Sequence, residues 1–243
     1  MSAFLPDQVQ PIDPEETFTF CCHRRITCFT ECCRELELAL TPYDVLRLRQ
    51  ATALHSARLH ERYIIEEQDP SAPFPSFYLT MVDDGRASCV FVRAEGCSIY
   101  PHRPGACRAY PLGRGTVKQE NLLQEQFVLL RESHCRGFEE APVQTAQTYM
   151  KSQELAPYNR FNDLLVEITQ HEKIRQGMQP SAEQLRSYRL ALFDLDTFRD
   201  KRHRKEIDIP AALHHQPLDD LDDESLLEFS MNWFKTQMFG HLS

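Results

Sequence analysis

The sequence predicts an α+β protein: an irregular, metal-stapled, Cys-rich N-terminal half with a small β-hairpin, followed by a helical C-terminal half. Three observations carry that prediction. All nine cysteines fall between Cys21 and Cys135, and the last 108 residues have none. Two β-prone runs, 77–82 and 87–92, flank an Asp84-Gly85 turn signal. From Val143 onward the pattern turns helical.

Taken in order, residues 1–20 open with Pro6, Pro11 and Pro14 among acidic residues and read as an extended arm. The first cysteine cluster occupies 21–33. A helix is expected next, with Thr41 as its cap, Pro42 at its first position and Asp44 at its third, where the helix dipole favours a carboxylate. The apolar positions Val45, Leu48, Leu54, Leu59 and Tyr63 extend it to about Gln68. The proline-rich stretch 69–75 breaks the chain before the hairpin, whose second strand carries Cys89. Cys97 and Cys107 fall in a Pro/Gly-rich loop, and 126–130 reads as a strand ending near Cys135. Helices are expected at about 143–154 and 157–176, from a Ser181/Gln184 capping box to about 203, and from about 224 to 239. The expected division is a Cys-cluster domain at 15–140, a helical region packed on it at 141–209, and an acidic C-terminal tail helix at 210–243.

At 243 residues with 42% apolar and 26% charged side chains, the chain can bury a core and is not disordered throughout. A formal charge of −9 disfavours general nucleic-acid binding. The one basic run, 199–205, is interrupted by Asp200, lacks an adjoining aromatic platform and reads as a solvated helix end. Nothing resembles a signal peptide or a membrane span, so a cytoplasmic location with reduced thiols is expected. No phosphate-binding glycine loop, dinucleotide fingerprint, His-Glu-x-x-His or nucleophile elbow is present.

Buried structural thiols would not all collect in one half, and an odd count argues against a disulfide framework. Metal binding is therefore the leading reading of the cysteines. In Cys21-Cys22-x5-Cys28-x3-Cys32-Cys33, Cys28 and Cys32 would share a helical face. Cys32 and Cys33 would diverge by roughly 100° on a helix, so that either one packs or the pair divides between two sites. The second set, Cys89, Cys97, Cys107 and Cys135, matches neither a zinc finger nor a ferredoxin run. Leaving Cys21 aside, the candidate ligands are Cys22, Cys28, Cys32, Cys33, Cys89, Cys97, Cys107 and Cys135. Four thiolates suit zinc and iron–sulfur clusters alike.

Cys22-His, Cys28, Cys32-Cys33-Arg, Thr41-Pro-Tyr-Asp44, Cys97-Ser-Ile-Tyr-Pro-His-Arg-Pro104, Cys107-Arg-Ala-Tyr-Pro111 and Cys135-Arg-Gly137 together resemble the YkgJ-type cysteine-cluster family, also described as the CxxCxxCC zinc- or iron-chelating domain. The resemblance spans about 22–137 and implies a bound iron–sulfur cluster or zinc. The first cluster departs from the family's tighter spacing, and Cys21 is an extra residue beside the family position at Cys22.

Other residues near the cysteines are weaker candidates. Arg103 and Arg108 bracket Cys107 and could attract an anion, although fixing the loop through backbone carbonyls is the better reading. Tyr100 and Tyr110 read as walls of the site. His23, His102 and His134 could substitute for a ligand. The function expected first is an iron–sulfur protein with a redox or metal-handling role and a protein partner. A zinc-stapled interaction module without catalysis is the alternative, and a protein-modifying enzyme using the metal site and the two arginines is the third.

Overall fold

The computed structural model describes residues 8–119, 122–140, 142–210, 213 and 221–240. The chain forms two compact units, Met1–Leu38 with Thr80–Arg160, and Ala39–Leu79 with Phe161–Ser243. Small antiparallel strand pairs and helices make it α+β. Asp219 and Asp220 of the acidic segment, and the N-terminal residues 1–7, lie outside the described residues.

The first unit holds every cysteine. Its largest sheet is antiparallel, ordered Val9–Ile12, Leu122–Leu130, Leu112–Gln119, with Ile12 opposite Phe127 and Leu112 opposite Leu129. Alternation along the central strand turns Phe127 and Leu129 inward. There they pack with Ile12, Leu112, Phe18, Phe20 and Tyr149. The arm is therefore two short strands: Val9–Ile12 joins this sheet, and Thr17–Thr19 pairs with Val143–Thr145. Thr145 then caps the helix Ala146–Ser152.

The hairpin forms around Gly85, whose φ of +76 suits a residue without Cβ, but it is shorter than the sequence suggests. Met81–Val82 pairs with Ser88–Cys89, and Asp84 accepts from the Arg86 and Ser88 N–H groups inside the turn. The run 87–92 is split, because Val92–Arg93 pairs instead with Gly96–Cys97. Cys89 and Cys97 thus both lie on two-residue strands. Cys107 lies on the short helix Gly105–Ala109.

In the second unit the Thr41/Asp44 capping box and the N-terminal proline start a helix, but it covers only Pro42–Thr52. Ala53 takes a left-handed conformation (φ 53) and ends it; His55 then caps a second helix, Ser56–Tyr63. The β-branched pair Ile64-Ile65 begins the strand Ile64–Glu67, which pairs with Ser76–Leu79, so no helix reaches Gln68. The helix expected to run to 203 is likewise two, Ala182–Phe193 and Leu195–His203. Asp194 ends the first and caps the second. With the Asp223–Phe239 helix they enclose a core in which Leu48, Leu59, Phe161, Phe198, Leu226 and Phe234 are fully buried. Arg49 clamps this bundle, bonding Asp196 at 2.6 and 2.8 Å and Asp223 at 2.9 Å.

Candidate metal centre

The segment 20–35 is held by backbone bonds rather than by a long helix. The Cys21 N–H donates to Gly137 O at 3.0 Å, and the Glu31 N–H to Cys28 O at 3.0 Å. A single 3-10 turn, Glu31–Cys33, follows Thr30, whose φ is +70. The close approach at Gly137 needs glycine, because a Cβ there would fall 2.4 Å from the Phe20 ring and 3.1 Å from Cys21 O. These contacts bring the first cysteine cluster against the Cys135 loop, and the Arg136 backbone N–H donates to Cys28 Sγ at 3.2 Å.

All nine cysteines are free thiols. Cys22 keeps an exposed face, yet the protein packed around its sulfur, followed by the Cys32, Cys28, Cys135 and Cys21 sulfurs, pushes its pKa up to about 11. Cys32 is raised further, first by a hydrogen bond with the Cys33 thiol and then by burial. The expectation that Cys32 and Cys33 diverge is thus modified, because the two adjacent side chains meet. Burial raises Cys135 too, while the Tyr110 hydroxyl and the Gly137 N–H facing its sulfur pull it down. Negative charge on several neighbouring sulfurs is mutually unfavourable, and a cation among them removes that penalty.

Cys89 and Cys97 form another neighbourhood. Burial raises both thiols, opposed by the Phe91 and Val92 N–H groups facing Cys89 and the Ile99 N–H facing Cys97. The Ser98 N–H and Oγ both donate to Phe91 O at 2.9 Å, closing the loop between the two cysteines. Among the described residues, no three His, Cys, Asp or Glu side chains converge closely enough to hold a metal ion. The donor set nevertheless fits zinc or iron in its chemistry: partly buried thiols, grouped by sulfur, with backbone N–H groups aimed at them.

Of the other candidates, Arg103 and Arg108 are buried and committed to this unit's framework. Arg103 donates to Tyr100 O at 3.0 Å and Gln153 Oε1 at 2.9 Å, and its guanidinium lies 3.8 Å from the Tyr100 ring centre. Arg108 donates to Gln153 O at 2.9 Å and Pro101 O at 2.8 Å. His23 lies 3.5 Å from Glu140, and His134 lies 3.8 Å from Glu132.

Tyr110 is more than a wall. Its buried hydroxyl approaches Cys135 and Glu132 without closing a well-formed hydrogen bond, and burial followed by these neighbours drives its pKa up. The phenol is therefore kept protonated beside a candidate ligand. The spacing of Tyr110 three residues after Cys107 was its only signal in the sequence. Gly137 gave none beyond its place after Cys135-Arg.

Among the described residues no helix is long and apolar enough to cross a membrane. No curated protein and no solved structure matches the chain significantly. The family model CxxCxxCC, described as "Putative zinc- or iron-chelating domain", matches residues 21–157, more than half of the chain and every cysteine in it. The thiol groups, their aimed N–H donors and this match agree, and the chain belongs to the CxxCxxCC family of metal-chelating domains.

Proposed function

We propose that this metal-binding protein carries an iron–sulfur cluster through its cysteine thiolates and uses it in a redox or metal-handling role. The observation that carries the proposal is the set of backbone N–H groups aimed at sulfur: Arg136 on Cys28 at 3.2 Å, Gly137 on Cys135, Phe91 and Val92 on Cys89, and Ile99 on Cys97. Such bonds stabilise thiolates and help set the potential of a cluster, and the protonated Tyr110 hydroxyl beside Cys135 offers a further donor. A bound cluster would supply one-electron chemistry. The chain's own residues would hold it, orient its ligands and limit solvent around it.

One feature favours zinc as a second reading. The pairs Met81–Val82 with Ser88–Cys89 and Val92–Arg93 with Gly96–Cys97 are too short to stand alone, as expected where a metal supplies folding energy. Anaerobic purification separates the two. A brown protein with broad visible absorption and several iron atoms per chain supports the cluster, whereas a colourless protein with stoichiometric zinc overturns it in favour of the zinc-stapled module.

A further inference from the structure

The three-stranded sheet of the first unit turns an uncharged face to solvent. Along the central strand Leu122–Leu130, Phe127 and Leu129 point to the core, so Leu122, Gln124, Gln126, Val128 and Leu130 stand on the outer side. The register adds Val9 and Pro11 from one neighbouring strand and Gly113, Gly115 and Val117 from the other. None of these described residues is charged, in a chain with 26% charged side chains. Arg114, Lys118 and Glu125 all stand on the inner side, and Arg114 donates to Glu125 at 2.6 Å. An antiparallel sheet with one face on a core ordinarily turns its polar side chains outward to water.

This face is open. Leu122 is 71% exposed and Val117 42%, and the Gln124 and Gln126 side chains between them are exposed as well. Gly115 lies in the same strip, and its own chain does not require a glycine there. It has no positive φ, it pairs with Gln126 in a regular ladder, and a Cβ would meet nothing nearer than Gln126 O at 4.0 Å. Gly113 differs, since a Cβ there would fall 2.7 Å from Val128 Cγ2. A glycine inside a strand weakens it, and one that its own chain does not need marks the close approach of another backbone.

We infer that this face pairs two copies of the chain about a two-fold axis, with Gly115 at the close approach. Two properties select a second copy as the occupant. Chains with a formal charge of −9 repel one another, and a charge-free face is where they meet without burying like charges. The Gln124 and Gln126 amides each hold donors and an acceptor, so each satisfies its own copy across a two-fold, as no charged side chain can. The face runs about 30 Å along Leu122–Leu130 and about 10 to 14 Å across, roughly 350 Å² per copy in projection. That is below the roughly 800 Å² per partner of a standard stable interface, so the pair is weak and depends on concentration.

Sedimentation velocity on the full chain tests this, with a reductant present because the nine free thiols would otherwise cross-link copies. Between about 1 and about 300 µM the wild type should pass from the 28.3 kDa monomer toward twice that mass, since a face of this size gives about micromolar affinity or weaker. Gly115→Glu has room within its own chain, so its circular dichroism should match the wild type. Its buried, unpaired charge should raise the dissociation constant about tenfold or more. Ile65→Glu puts the same charge on an exposed apolar residue of the second unit and should associate like the wild type. A wild type that stays monomeric throughout overturns the proposal, and if it then co-sediments with phosphatidylcholine vesicles, the face belongs to a lipid surface. Undiminished association of Gly115→Glu, or an equal loss in Ile65→Glu, overturns the assignment of this face.

Discussion

The Arg136 backbone N–H donates to the Cys28 sulfur at 3.2 Å across a sequence separation of 108 residues. A main-chain donor cannot be swung aside like a side chain, so this bond fixes the first cysteine cluster against the Cys135 loop. The adjoining Gly137 lets the chains come that close. Gly137→Ala is accordingly expected to cost about 1–3 kcal/mol, because its methyl group overlaps the Phe20 ring and Cys21 O. Denaturant unfolding of the two proteins measures the cost. Metal content should fall as well, since the overlap pushes Cys21-Cys22 away from Cys135.

Arg108 has its guanidinium on two backbone carbonyls, Gln153 O and Pro101 O. Truncating it removes a buried side chain and takes the donor away from both carbonyls, so Arg108→Ala should destabilise the protein by about 2–4 kcal/mol. Arg108→Lys should recover little, because an ammonium cannot span the two carbonyls as the planar fork does. Unfolding of Arg108→Ala at the wild-type midpoint would instead free the guanidinium for the anion-holding role.

What could be read from the sequence was local. The Thr41/Asp44 and Ser181/Gln184 capping boxes formed as expected because both partners lie within one turn. The break at Ala53 and the strand Ile64–Glu67 were hidden, because the strand Ser76–Leu79, beyond the proline-rich stretch, recruits 64–67 into a ladder. The strand Leu112–Gln119, with Gly113, Gly115 and Lys118, has no β-pattern of its own and exists through its pairing with Leu122–Leu130. The same limit holds at the site. The number of thiols and their loop settings were visible, whereas the contacts between 28 and 136 and between 34 and 88 depend on chain reversals that spacing does not encode.

The Arg49–Asp196 pair makes the second unit sensitive to acid. Burial alone would raise the Asp196 pKa, but the Arg49 hydrogen bonds and charge, with the Ser56 N–H, outweigh it and hold the carboxyl at about 2. An unfolded aspartate titrates near about 3.9. The depressed folded value means that this stability, about 2 kcal/mol, is fully present above pH 4 or so and is lost as pH falls toward about 2. Denaturant unfolding should show a steeper loss across that window in the wild type than in Asp196→Asn. Parallel pH profiles would show that the pair contributes nothing.

Cys28 and Cys21 should behave differently although both lie in the first cluster. Cys28 Sγ already has a fixed N–H donor, while Cys21 adjoins the family position at Cys22 and anchors through its backbone N–H, which a substitution retains. Cys28→Ser is expected to lose at least half of the bound metal, and Cys21→Ser to keep nearly all of it. Elemental analysis of the purified chains decides, and equal retention would overturn this ligand assignment.

Removing the metal should loosen the two units unequally. In the Cys-bearing unit the segment 81–97 holds its shape through two strand pairs of two residues each, which need a cross-link to persist. In the other unit Leu48, Leu59, Phe161, Phe198 and Phe234 are fully buried among helices that contain no cysteine. Hydrogen exchange on chelator-treated protein should therefore accelerate about tenfold or more across 20–35 and 81–98, while the helices Ala182–Phe193 and Asp223–Phe239 keep their protection. Uniform acceleration would mean that the metal supports the whole chain as one cooperative unit. Unchanged exchange at 81–98 would mean that these loops are held without it.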